Sequence, residues 1–249
     1  KPSLSDVFKS FDFDKVIHFA GYKAVGESVQ EPNIYFSNNF VGSQILFETM
    51  AECEVKNLVF SSSCTVYGNP KDVPLSEQSD LNPTNPYGRT KYWIELMLQD
   101  LCNSDPNWNV ISLRYFNPVG AHESGWIGED PLGVPNNLMP FITQTAIGTR
   151  EELKIFGKDY NTPDGTCLRD YIHVCDLSLG HIKALEKIGL NKGFLPINLG
   201  TGNGVSVLEL VHTFAEVNKV TVNYSFADRR DGDAVKVWAD PTFAYDFLH

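Results

Sequence analysis

The sequence predicts an α/β fold built on a doubly wound parallel sheet, with a smaller second lobe, and three observations carry that prediction. Three short, nearly all-apolar runs, Val16–Ala20, Leu58–Ser61 and Val110–Tyr115, have the composition of strands covered on both faces. Between them lie two longer stretches whose apolar residues recur at helical spacing. The segments after the strands are rich in small and polar residues, as expected where parallel strands end and bind ligands.

Taken in order, a helix-like opening after Lys1-Pro2-Ser3 leads into Val16–Ala20, which runs into the loop Gly21 to Ser28. Asn39 to Glu52 then sets Val41, Ile45, Leu46 and Met50 along one side of a helix. Leu58–Ser61 ends in Ser61-Ser62-Ser63 and the loop through Gly68, where a strand tip can aim a hydroxyl at a pocket. Tyr87 to Asn103 carries Ile94, Leu98 and Leu101 on a stripe, and Val110–Tyr115 follows, with the loop Asn117 to Gly120 at its end. Such strand–helix–strand alternation implies right-handed crossovers.

Beyond about residue 118 the pattern loosens: Pro131, Pro135, Pro140 and Pro163 among Gly and Asn read as loops and short elements. Ile197 to Val205 reads as a strand and a glycine turn before a helix opening near Ser206, with Asp228 after a further strand-like run. Its glycines are spaced G-x-G-x-G, not the G-x-G-x-x-G of a dinucleotide loop, so a tight turn is the better reading.

The chain has 249 residues, 42% hydrophobic, enough for a substantial core, and its net charge of −11 argues against a phosphate-tracking nucleic-acid surface. Cys53, Cys64, Cys102, Cys167 and Cys175 form no Cys-x-x-Cys motif, which fits reduced thiols in a cytoplasmic protein and no metal site. No stretch approaches the ~20 apolar residues that cross a membrane, so no membrane partner is expected.

Tyr87 and Lys91, in Asn85-Pro86-Tyr87-Gly88-Arg89-Thr90-Lys91, are four apart at a helix start and share a face. A phenol titrating near ~10 is a poor base, but a neighbouring ammonium favours the phenolate, so the pair suggests a proton-transfer site. Tyr67 and Lys71 repeat the spacing across Pro70, which marks a turn. What distinguishes Tyr87 is the serine run 24 to 26 residues upstream.

His18-Phe19-Ala20-Gly21-Tyr22-Lys23, Asn38-Asn39 with Gly42, Ser61 to Gly68 and Pro86 to Lys91 occur in the order of the extended short-chain dehydrogenase/reductases, Rossmann-like enzymes that the chain resembles. Within them Arg114 to His122, Pro135 to Pro140, Asp164 to Val174 and Arg230-Asp231-Gly232-Asp233 resemble the UDP-galactose (UDP-glucose) 4-epimerase family. The resemblance implies reversible C4 epimerisation of a UDP-hexose in galactose metabolism, through a 4-keto sugar and with tightly bound NAD. It implies Tyr87 as base, Lys91 as its electrostatic partner and Ser63 as proton relay. Phe19, Ala20, Gly21, Lys23, Asn38, Ser61 and Tyr115, with Tyr87 and Lys91, would line the cofactor. Asn117, Asn137, Leu138, Phe156, Arg169, Arg230 and Asp233, with Ser63, would bind the UDP-sugar. Val237, where some relatives carry tyrosine, would leave room for the N-acetyl group of UDP-GlcNAc or UDP-GalNAc.

The same resemblance divides the chain into an incomplete NAD-binding Rossmann domain, 1–117 with part of 167–200, and a substrate lobe, 118–166 and 201–249. The family's G-x-x-G-x-x-G loop has no counterpart after Lys1, and its closing segment none before His249. The chain therefore reads as a fragment, expected to bind NAD poorly alone. A related enzyme on another UDP-sugar, or a non-catalytic nucleotide-sugar-binding module, are the alternatives. Pairing into a homodimer through the helices beginning at Asn39 and Tyr87 is a further expectation.

Overall fold

A computed structural model describes residues 2–190, 192–230 and 232–249, with the side chains of Pro2 and Ser3 left aside; Lys1 and Asp231, quoted in the motifs above, lie outside the described residues. The first half runs α1 (Pro2–Ser10), β1 (Val16–His18), α2 (Val25–Gln30), α3 (Pro32–Tyr35), a π-helical turn Phe36–Val41, α4 (Gly42–Glu52), β2 (Asn57–Ser63), α5 (Pro86–Ser104), β3 (Asn109–Tyr115) and β4 (Asn117–Val119). There follow α6 (Leu138–Ala146), β5 (Leu153–Phe156), β6 (Leu168–Arg169), β7 (Tyr171–His173), α7 (Val174–Lys187) and β8 (Gly193–Leu199). The chain closes with β9 (Val205–Ser206), α8 (Val207–Asn218), β10 (Tyr224–Ala227), β11 (Lys236–Val237) and α9 (Thr242–Leu248).

β1, β2, β3 and β8 form one sheet in that order, and every pair in it is parallel. Its two faces are both covered, which is why its strands read as apolar runs instead of alternating. On one face Leu58, Phe60 and Val110 pack with Phe47 and Met50 of α4 and Ile94 and Leu98 of α5. On the other, Val59, Ile111, Leu113 and Ile197 pack with Leu177 and Ala184 of α7 and Leu248 of α9. Strict period-two pleating sends neighbouring residues of β2 to opposite cores.

The remaining strands form three small sheets: β10 with β5, β11 with β6 and β9, and β4 with β7. α6 and α8 cover the first of these through Ile142, Val211, Leu153 and Ile155. Two-residue strands such as β6, β9 and β11 carry no periodic signal, hence the loosened reading after residue 118.

The glycine turn at Gly200 to Gly204 proves to cradle an anion from its own chain. The fully buried Asp170 carboxylate accepts N–H groups from Thr201 (2.7 Å), Gly202 (3.0 Å) and Ala239 (3.1 Å), and the Thr201 hydroxyl (2.7 Å). A Cβ at Gly200 would stand 2.5 Å from Asp170 Oδ2, so the close approach requires glycine. The helix after it, α8, opens on a capping box between Ser206 and Glu209.

Candidate active site

Tyr87, Lys91 and Ser63 meet where β2 ends and α5 begins. Pro86 occupies the first helical turn, and the Asn85 side chain caps it by accepting the Gly88 N–H at 2.8 Å. The Tyr87 N–H is taken by Ser28 Oγ at 3.2 Å. A Cβ on Gly88 would come within 2.8 Å of the Thr65 carbonyl, so glycine lets the helix bearing Tyr87 press against the turn bearing Ser63. Ser63 Oγ accepts both the N–H (3.2 Å) and the hydroxyl (3.0 Å) of Thr65, which leaves its own proton to donate.

Lys91 is buried, and its ammonium donates to the Ser61 carbonyl at 2.6 Å. Burial lowers its pKa to about 8, against the opposing charge of Glu95 one turn further along α5. Burial likewise pushes Tyr87 up to about 12, with Ser63 pulling the other way and Cys64 raising it. Burial sets the direction of the Tyr87 shift, and the Lys91 Nζ, drawn to Ser61, stands 5.9 Å from the ring centroid. The other Tyr-x-x-x-Lys pair is split: the Tyr67 hydroxyl is buried against Asn198 (2.7 Å) and Arg114 (2.9 Å), while Lys71 is exposed.

Behind these residues lies a buried ion pair. Glu95 Oε2 accepts from Arg114 Nη2 at 2.6 Å, and Oε1 accepts from Arg114 Nε, Ser62 and Ser112 at 3.0, 2.6 and 3.0 Å. The network ties α5 to the ends of β2 and β3, and so fixes Lys91 relative to Ser61 and Ser63.

A chamber of about 500 Å³ opens at these strand ends, lined by Phe19, Gly21, Lys23, Ser61, Ser63, Tyr87, Lys91 and Tyr115 of the sequence-derived set. Ala20 and Asn38 are not among its walls; both are exposed. The buried neighbour Asn39 accepts the Tyr22 N–H (2.8 Å) and donates to the Tyr22 carbonyl (2.9 Å), which pins the Gly21–Tyr22 turn. Glu129, which no sequence signal marked, pairs with Lys23 (3.5 Å) and accepts from the Asn137 amide (2.6 Å).

A second chamber of about 350 Å³ holds Asn137, Leu138, Phe156, Arg169, Arg230 and Asp233, and shares Asn117, Pro118, Val119 and Asn137 with the first. Arg230 binds Asp233 through Nε (3.0 Å) and Nη2 (3.2 Å), and its guanidinium lies 4.8 Å over the Phe156 ring. Arg169 approaches the same carboxylate at 3.9 Å. Arg150, Glu152 and Lys154, just before and within β5, line the chamber without having been singled out, since scattered charges around a four-residue strand give no pattern to read. Val237 is the departure: it pairs with Arg169 on β6 and is buried with Val66, Tyr67 and Phe116, lining neither chamber.

Among the described residues, no group of His, Cys, Asp or Glu is arranged to hold a metal, and no helix is long and apolar enough to cross a membrane.

Residues 1–200 match the NAD dependent epimerase/dehydratase family. A UDP-glucose 4-epimerase from Arabidopsis thaliana is 57% identical over 240 residues, 96% of this chain and 69% of that protein. The structure of a UDP-glucose 4-epimerase from Bifidobacterium longum in complex with NAD+ and UDP superposes with a TM-score of 0.95 at 46% identity, covering 98% of this chain and 73% of that one. One from Stenotrophomonas maltophila, with bound NAD and formylated UDP-arabinopyranose, gives 0.96 at 44% identity, covering 99% and 74%.

Proposed function

Because the chain belongs to the NAD dependent epimerase/dehydratase family, we propose that it catalyses the reversible C4 epimerisation of UDP-galactose and UDP-glucose with tightly held NAD, a step of galactose metabolism. The observation that carries the reading is the joining of two chambers across one wall. One holds a phenol, a hydroxyl with a free proton and an ammonium; the other holds two arginines.

The first chamber fits a dinucleotide. Among the described residues, the one acceptor at Lys91 Nζ is the Ser61 carbonyl, which leaves two N–H donors for the hydroxyls of a ribose. Phe19 and Tyr115 offer aromatic walls for a planar ring. NAD, when bound, supplies the acceptor and later the donor of hydride at the sugar carbon. Ser63 accepts the proton of the sugar 4-hydroxyl as its own proton passes to Tyr87. Tyr87 acts as base once further positive charge enters the chamber, since burial alone holds it near 12.

The resulting 4-keto sugar turns its other face only if something else is gripped. Arg169 and Arg230 hold the diphosphate, released from Asp233 as the stronger anion arrives, and Phe156 lies along the base. Asn117, Asn137 and Leu138 hold the nucleotide from the shared wall, and Asp233 then accepts from its ribose.

The test is conversion of UDP-galactose by the full-length protein without added NAD. Conversion that falls at least ~10²-fold in Tyr87→Phe, with NAD still bound, is expected for a positioned base. NAD bound without conversion would point to another nucleotide sugar; neither would favour a binding module.

Two finer expectations accompany this reading. Val41, Trp93 and Leu96 on the π-helical turn and α5 are partly exposed, a face suited to pairing two copies. The five cysteines are all free thiols, which supports a cytoplasmic setting, and the net charge of −11 disfavours a nucleic-acid partner.

A further inference from the structure

We propose that His181 is a positioning residue for the cofactor chamber: it locks the Tyr115 hydroxyl outward and seats the Phe19 ring, so that both aromatic walls are preset for a planar ligand. The inference rests on the dinucleotide reading above.

His181 is buried on α7, beneath the chamber. Its Nδ1 lies 2.8 Å from the Leu177 carbonyl one turn earlier. A carbonyl only accepts, so Nδ1 carries the proton and Nε2 is a bare acceptor. The Tyr115 hydroxyl meets Nε2 and must therefore donate to it. With its proton committed, the phenol oxygen can only accept from other groups. Burial raises the Tyr115 pKa, and the neighbouring Ser61 side chain works against that rise. The polarity thus runs one way, from Tyr115 to His181 and on to the α7 backbone.

The same imidazole is the seat of the second wall. The Phe19 ring lies 4.7 Å from the His181 ring, and Tyr115 lies 5.2 Å from it nearly edge-on. Phe19 is 58% exposed and lines the chamber, so little else restrains it. Ser61, beside Tyr115 in the chamber wall, supplies the carbonyl that takes the Lys91 ammonium. His181 touches no reacting atom; it acts through Tyr115 and Phe19.

The experiment measures NAD+ retained per chain, and its dissociation rate, in the full-length protein and in His181→Leu, His181→Gln, Tyr115→Phe and His181→Leu/Tyr115→Phe. His181→Leu and Tyr115→Phe should each speed dissociation roughly five- to tenfold, the weight of one hydrogen bond, with the melting temperature of the NAD-loaded protein nearly unchanged. His181→Gln, which keeps an acceptor near Nε2 but not the ring beside Phe19, should fall between wild type and His181→Leu. The double variant should be worse than Tyr115→Phe alone only by the share that seats Phe19, and so clearly less than additive. Wild-type dissociation rates in His181→Leu, or full additivity in the double variant, would overturn the proposal while leaving the dinucleotide reading intact. A wild-type protein that holds no NAD+ would overturn both. Should His181→Leu fail to fold, Tyr115→Phe against His181→Gln still decides, since equal rates in those two would sink the proposal.

Discussion

The two chambers are built on different plans. The first sits at the end of a parallel sheet, and its chemistry is braced from behind by the fully buried Glu95–Arg114 pair and by hydrogen bonds that exist without any ligand. The second is assembled from small sheets and loops, and its charges are held by one another: Asp233 carries Arg230, whose side chain is 57% exposed, with Arg169 close by. One region spends its polar groups on rigidity, the other keeps them available. Substitutions in the first should therefore register as lost stability or lost chemistry, and in the second as lost affinity.

The sharpest test of that contrast is Glu95→Leu. It leaves Arg114 buried and unpaired, and should lower unfolding free energy by roughly 3–5 kcal/mol in denaturant titration. A change below 1 kcal/mol would mean the first region is not braced as described.

Next comes acid. His18 is buried between Ser43 and Phe60, and burial, then the Lys91 charge, lower its pKa to about 4 from 6.5. The unfolded chain takes up this proton first, so the stability present above pH 6.5 is lost as pH falls toward 4, by about 3 kcal/mol. His18→Gln should flatten that part of the pH–stability curve.

In the second region, Arg169→Ala and Arg230→Ala should each weaken UDP binding by roughly 1.5–3 kcal/mol in calorimetry, with little change in melting temperature. Loss of stability comparable to that of Glu95→Leu would break the comparison from the other side.

Val237→Tyr gives the smallest expected effect. Because Val237 is packed inside a core cluster, the larger side chain should cost roughly 1–3 kcal/mol of stability by overpacking. Selective loss of UDP-GlcNAc turnover at unchanged stability would instead restore it as a wall of the sugar site.

The same contrast explains what could be read beforehand. Regular elements leave periodic marks, so β2, β3 and α5 were legible to within two residues; the helix start marked Tyr87 and Lys91 and the strand end marked the serine run, from which resemblance singled out Ser63. The direction of the Tyr87 shift was not legible, since burial and the orientation of Lys91 are tertiary facts. Asn39 carried no mark of its own, since its hold on the Gly21–Tyr22 turn is a contact across 17 residues. In the second lobe, Arg169 and Arg230 lie 61 residues apart and meet only through Asp233, so resemblance alone singled them out. The glycine turn near Gly200 misled for a physical reason as well: it has the amide geometry of an anion cradle, and Asp170 fills it.

The three residues of β4, Asn117 to Val119, face both chambers. A partition held in common cannot be re-fitted for one tenant without disturbing the next. A lineage that reshaped it to admit a bulkier sugar would in the same step alter the seat of its redox partner, so divergence here is penalised twice. Retuning by design should accordingly begin on the outer walls, at Lys154, Phe156 and Arg230, and leave the partition as it stands.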